Sequence, residues 1–255
     1  MKITFLGTGT SQGVPVIACE CYTCVSQDPH DKRLRTSLLL ERDNTTLVFD
    51  AGPDFRQQML REHVTKLDSI ILTHEHKDHI AGMDDVRAFN YKSRDAIDIY
   101  SEERVQKAIR KEYSYVFSEF QYPGIPKMRL NNIPEHKFNV MGVDIIPIRV
   151  FHYRLPVYGF RVGNFAYITD ANYIPEESKE KLYGVKYLVL NALRKEKHIS
   201  HFSLREAIDI IREISPKKAF ITHISHQMGR HAEVSQELPT GISLAWDGLS
   251  FICDD

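Results

Sequence analysis

Six consecutive residues, His74-Glu75-His76-Lys77-Asp78-His79, follow directly on the apolar run Ile70-Ile71-Leu72 and Thr73. A run of that length and β-branched content reads as a buried strand. The imidazoles therefore leave its carboxyl end, where open α/β sheets place their ligand crevices. In extended chain His74 and His76 point to the same side. With a helix starting near Asp78, Asp78 and His79 lie on its first turn and address a second point in space. The spacing suits two metal ions side by side, and imidazole nitrogen with carboxylate oxygen is a donor set for zinc, iron, manganese or cobalt. A solvated helix start would account for one histidine, but not for three in six positions after a buried strand.

Charge narrows the partners. Lys+Arg number 33 against Asp+Glu 34, a formal net charge of -1, so no global field recruits a polyanion, and nucleic acid is disfavoured as a partner. With 42% hydrophobic and 26% charged residues the composition is that of a globular protein, expected as one domain over 1–255. The apolar run in residues 1–7 is too short for a signal peptide. No stretch reaches the roughly 18 apolar residues of a membrane span. The expectation is a cytoplasmic protein with no membrane partner.

Cys19, Cys21 and Cys24 crowd into six positions. In a reducing compartment that points to metal rather than disulfide. A tetrahedral zinc site needs one more ligand, and the candidate is distant: His226, three residues after His223. The histidines of Thr222-His223-Ile224-Ser225-His226 then serve different metals. Cys253 carries no signal.

Taken in order, residues 2–6 read as a strand broken by the loop Gly7-Thr8-Gly9-Thr10-Ser11-Gln12-Gly13. With no following helix or lysine, this loop matches neither the dinucleotide nor the P-loop pattern. Its glycines are expected to allow a tight turn and close backbone approach beneath the metal site. Residues 36–41 and 45–49 read as a hairpin, and Asp54 as the cap of a helix over 55–62. The segment 84–132, with a helix over 104–115 and the aromatics Tyr113, Tyr115, Phe117, Phe120 and Tyr122, is expected to be mostly core and to form a wall or lid between two halves. Strands follow at 138–140, 143–151, 158–162, 165–169, 187–191 and 219–222, with Ser203 capping a helix to 214. Val48-Phe49-Asp50-Ala51-Gly52 is echoed by Ile168-Thr169-Asp170-Ala171-Asn172, and Ile71-Leu72-Thr73-His74 by Phe220-Ile221-Thr222-His223. The halves read as one ββαβ-type unit used twice, an α+β sandwich of two sheets with helices outside.

The polar residues at strand ends are then His74, His76, Asp78, His79, His152, Asp170 and His223. This pattern resembles the signature of the metallo-β-lactamase fold hydrolases, an αββα sandwich of two mixed sheets. Within them, Gly7-Thr8-Gly9-Thr10-Ser11-x-Gly13-Val14-Pro15, the cysteine loop, the His74 motif, Asp170, His201 and the His223/His226 pair resemble the PhnP-like phosphoribosyl cyclic phosphodiesterases. The resemblance implies that His74, His76 and His152 bind one divalent ion, that Asp78, His79 and His223 bind another, and that Asp170 bridges them. It also implies a structural zinc on Cys19, Cys21, Cys24 and His226.

Two such ions, zinc or manganese, about 3.5–4 Å apart lower the pKa of a bridging water and clamp the oxygens of a reacting phosphoryl group. The expected reaction is attack by the bridging hydroxide on a small phosphodiester such as phosphoribosyl 1,2-cyclic phosphate. Asp78 is expected to be essential to turnover as well as a ligand. For the leaving oxygen, His198 and His201 are the free imidazoles, and the resemblance favours His201. It is also compatible with a homodimer. The alternatives are a ribonuclease Z-like RNA phosphodiesterase, disfavoured by the near-zero charge and the lack of a basic arm, a thiolester hydrolase, and a di-iron oxidoreductase.

Overall fold

The computed structural model describes residues 1–119 and 122–254; the expectation for Phe120 lies outside them. Among the described residues the strands form two seven-stranded sheets. The first contains β1 (Lys2–Gly7), β2 (Ser37–Arg42), β3 (Thr45–Phe49), β4 (Ser69–Ile71), β5 (Ile97–Ser101) and β6 (Met128–Asn132). The second contains β7 (Phe138–Val140), β8 (Val143–His152), β9 (Leu155–Val162), β10 (Phe165–Ile168), β11 (Tyr187–Asn191), β12 (Lys218–Thr222) and β13 (Ile242–Leu244), while β14 (Ser250–Ile252) returns to flank β1. β3 to β6 run parallel, as do β10 to β13.

Three apolar layers account for this stacking. Strand residues alternate between faces, and here both faces are buried. In β10 and β11, Phe165, Tyr167, Tyr187 and Val189 turn to the layer between the sheets, where they meet Phe5, Leu40, Phe49 and Ile71. Their neighbours Ala166, Ile168, Leu188 and Leu190 face outward. There they meet Ala207 and Ile211 of α6 (Leu204–Ile214), which Ser203 opens with a capping box, as expected. On the other side Val48 and Ile70 pack with Phe55 and Met59 of α1 (Phe55–Arg61) and with Val105 and Ile109 of α4 (Glu103–Glu112). The result is the expected αββα sandwich. No helix of the described residues is long and apolar enough to cross a membrane.

Three expectations need correction. The segment 84–132 is not a cover between halves: its β5 and β6 are parallel strands of the first sheet, with Ile97 and Ile99 in the core. The duplication is real in strand order, but it equates β3 with β10 and β4 with β11. Thr73-His74 and Thr222-His223 therefore follow non-equivalent strands, and their likeness is local. Asp54 makes no capping bond. Its carboxylate instead accepts from the Arg35 backbone N–H at 2.7 Å and Nη1 at 3.1 Å, tying the start of α1 to the chain beside the glycine loop.

Close backbone approach occurs in the glycine loop as expected, where a Cβ at Gly7 would overlap the Arg35 carbonyl oxygen, and it recurs beneath the histidine motif at glycines outside that loop. A Cβ at Gly52 would overlap the Asp78 carbonyl oxygen, and one at Gly82 would overlap that of Gly52. The bonds Ala51 N–H to His79 O at 2.8 Å and Gly82 N–H to Ala51 O at 2.9 Å seat α2 (Lys77–Ile80) on the turn after β3. Gly52→Ala is expected to destabilise by about 1–3 kcal/mol through overpacking, lowering Tm by several degrees and loosening Asp78 and His79. An unchanged melting curve would show that the approach is not needed.

Candidate active site

The turns that end β3, β10 and β12 share an unusual backbone. Asp50, Asp170 and His223 take φ of +63°, +52° and +56°, a region that costs free energy for residues with a Cβ and that aspartate tolerates better than most. Neighbouring groups hold them there. The Asp50 carbonyl accepts from Ser37 Oγ at 2.8 Å, and the Asn191 side chain bonds both N–H and C=O of Ala171 at 2.8 and 2.9 Å.

Around these turns the expected residues meet. Donor atoms of Asp78, His79, Asp170 and His223 lie within 4.8 Å of one another, and so do those of His152, Asp170 and His201. Asp170 belongs to both groups, and the second contains His201 rather than the expected His74 and His76. His74 Nε2 and His76 Nδ1 stand 3.0 Å apart, and the His76 ring is 5.2 Å from that of His152. His201, expected as a non-ligand, has its Nδ1 3.6 Å from Asp170 Oδ1, so the geometry brings it within ligand range of the cluster. His198 lies one ring further out, 5.2 Å from His201.

The remote ring nitrogens are engaged, which turns the others inward. His152 Nδ1 donates to Ser200 O at 2.8 Å, His79 Nδ1 faces Asp50 Oδ2 at 2.8 Å, and His74 Nδ1 meets Thr73 Oγ1 at 2.9 Å. His79 Nε2 then sits 3.0 Å from Asp170 Oδ2 and 3.2 Å from Asp78 Oδ2, yet it is a buried atom without a hydrogen-bond partner, as is His201 Nδ1. Acceptors converging on one point at sub-van der Waals range, each oriented from behind, fit a cation. Burial pushes the Asp170 carboxyl up, but His223 and His79 outweigh it and hold it well below the carboxylate range. Burial likewise pulls His79 down, and Asp78, Asp50 and Asp170 reverse this and raise it well above normal. A positive charge is stabilised at this point in either case.

Two contributors escaped the sequence reading. In sequence Asp50 stands only as an echo of Asp170, yet it is the fully buried prop of His79, bonded also to the Thr73 N–H at 2.9 Å. Arg104 pairs with Glu75, between the first two histidines, and donates to Pro156 O at 2.6 Å. Glu102 continues the chain to Arg149 at 2.6 Å. No local pattern marks an arginine on a surface helix for this task.

A second cluster has the expected members. His226 Nδ1 lies 3.3, 3.2 and 3.5 Å from the Sγ atoms of Cys19, Cys21 and Cys24. Burial opposes ionisation of Cys21, but bonds from the Cys24 backbone and His226 bring its thiol down to about 6, the direction a thiolate ligand needs. Three sulfurs and one imidazole form a tetrahedral zinc donor set.

Removing the prop tests its role. Asp50→Asn is expected to stay folded and to weaken active-site metal retention by about 10–100-fold, read by elemental analysis after dialysis against a chelator. Retention equal to that of the unaltered protein would make Asp50 a structural residue only.

The Beta-lactamase superfamily domain family matches residues 45–224. A crystal structure described as a new diphosphatase from the PhnP family superposes with a TM-score of 0.93 at 37% identity, covering 99% of this chain and 98% of that one. A Porphyromonas gingivalis protein named octanoyltransferase is 40% identical over 258 residues, 100% of this chain but 52% of its own length. A Nostoc ribonuclease Z is 28% identical over 64% of the chain and 46% of its own length. The chain thus spans about half the length of the curated relatives it matches. With the αββα layers and the donor cluster at one sheet edge, these likenesses establish that the chain belongs to the metallo-β-lactamase fold hydrolases, in the PhnP-like branch.

Proposed function

We propose that this hydrolase is a metal-dependent phosphodiesterase acting on a small phosphodiester, with a cyclic ribose phosphate as the substrate class. The observation that carries the reading is the shared edge itself: Asp78 and His79 from α2 meet Asp170 and His223 from strand ends of the second sheet with donor atoms within 4.8 Å of one another, His152, Asp170 and His201 do the same, and His74 and His76 face each other at 3.0 Å beside them. Two divalent cations held there, zinc or manganese, would supply an activated water and neutralise phosphoryl charge.

The chain's own groups do the rest. Asp50, Ser200 and Thr73 fix the ring orientations of His79, His152 and His74. His201, 92% buried with a free Nδ1 at the edge of the cluster, is the group for the leaving oxygen. Burial pushes its pKa down to about 3, so the resting ring is neutral. A phosphate anion beside it favours the protonated form. His198, further out, is the reserve. The Cys19, Cys21, Cys24 and His226 cluster is assigned to a structural zinc, and clustered free thiols support a cytoplasmic setting.

A second reading has one observation in its favour, the 40% identity to a protein named octanoyltransferase across the whole of this chain. It makes the reaction acyl-ester or thiolester hydrolysis. One assay separates the two. The purified protein is expected to carry about three metals per chain and to hydrolyse bis(p-nitrophenyl) phosphate, with chelation abolishing turnover. Activity confined to p-nitrophenyl octanoate would overturn the phosphodiesterase reading. His201→Ala is expected to keep its metals and lose about 10²–10⁴-fold in kcat. Lost metal in that variant would make His201 a ligand instead.

A further inference from the structure

Beside the donor cluster lies an open recess of about 600 Å³ lined by His76, His152, Ser200, Tyr153, Arg154, Leu155 and Ile199. It shares two imidazoles with the candidate site, so a group extending from a phosphoryl held there in this direction lies over the recess. Its shape is fixed from behind. Tyr153 and Arg154 form the two-residue turn between the paired His152 and Leu155. Tyr153 sits at φ +57°, a conformation strained for an aromatic residue. It is held by its N–H donating to Asn172 Oδ1 at 2.6 Å, while Asn172 Nδ2 donates to Ile199 O at 3.1 Å. The turn and the facing loop are thus tied together through one asparagine.

The side chains displayed on this braced frame are unusual for a surface. Tyr153 is 49% and Ile199 67% exposed. The Arg154 guanidinium rests 5.2 Å from the Tyr153 ring centroid, and no carboxylate among the described residues pairs with it. Exposed aromatic and aliphatic faces accept a flat ring, and an unpaired guanidinium on a short turn accepts a phosphate. Resting on the phosphodiesterase reading, we infer that this recess is a subsite for a nucleotide: the base lies against Tyr153 and Ile199, and Arg154 binds a second phosphate beyond the one being hydrolysed.

The test uses the metal-loaded protein with three p-nitrophenyl diesters that share a leaving group: methyl p-nitrophenyl phosphate, thymidine 5′-(p-nitrophenyl phosphate), and the latter carrying a 3′-phosphate. Binding of thymidine 3′,5′-bisphosphate is measured separately by calorimetry. Asparagine tolerates the left-handed turn, so Tyr153→Asn is used, with Tyr153→Phe as the variant that keeps the ring. Tyr153→Asn should reduce the preference for both thymidine esters over the methyl ester about 10-fold, and Tyr153→Phe should restore it. Arg154→Ala should reduce by about 10-fold only the advantage that the 3′-phosphate confers. Bisphosphate affinity should fall in Tyr153→Asn and Arg154→Ala. Equal bisphosphate affinity in all proteins would overturn the subsite. No hydrolysis of any diester, with bisphosphate binding that depends on Tyr153 and Arg154, would keep the subsite and overturn the phosphodiesterase reading.

Discussion

Carboxylates crowded around one buried imidazole are the constraint on which the rest of this structure depends. Asp50, Asp78 and Asp170 all approach His79, whose side chain has no exposure at all. Like charges at such range repel strongly where water is absent. The arrangement persists only because each group is anchored by something that cannot move away: strand ends locked in left-handed turns, a short helix seated on glycine, and side chains bonded from behind. The apolar layer between the sheets is what makes those anchors rigid. The polar edge and the hydrophobic sandwich are parts of one design, in which packing holds in place an electrostatic arrangement that a cation can relieve.

Much of this was legible locally. The segments 45–49, 138–140 and 187–191 read as strands from their composition and coincide with β3, β7 and β11. Ser203 announced the start of α6, and the structure adds Glu206 to its cap. The donors of both clusters were legible because imidazole, thiolate and carboxylate have few reasons to gather except a metal. What was hidden depends on pairing across long separations. β5 alternates apolar and polar residues in a short span amid charge, and only its partners β4 and β6 make it a core strand. Asp50 looks like Asp170 in sequence because it stands at the equivalent strand end, but its carboxylate points at the back of a histidine. Sequence can mark the equivalence and cannot mark the direction. Likewise Thr-His recurs after β4 and β12 without those strands being counterparts, since a dipeptide carries no record of strand order.

The two halves contribute unequally to a symmetric frame. The first supplies the dense histidine motif and the buried prop; the second supplies Asp170, His152 and His223 from separated strand ends and His201 from the loop before α6. Arg104 then binds the motif's Glu75 to the backbone of β9 at Pro156, so that a residue of the first half positions its loop by gripping the second. Neither half carries a complete cluster, and the site exists only at the seam.

The stretch from His223 to His226 joins the two donor clusters directly. Ile224 between them is bonded on both sides to the glycine loop, its N–H to Thr8 O at 2.9 Å and its carbonyl to the Thr10 N–H at 3.1 Å, while Ser225 N–H reaches Leu193 O at 2.9 Å. A spacer pinned this way has no slack. Its middle side chains are fixed too, Ile224 in the apolar core and Ser225 by its hydroxyl accepting from the Gln227 N–H at 3.2 Å, and one residue inserted or deleted there would shift a donor of one cluster away from its neighbours. In this connector, length is restricted as well as identity.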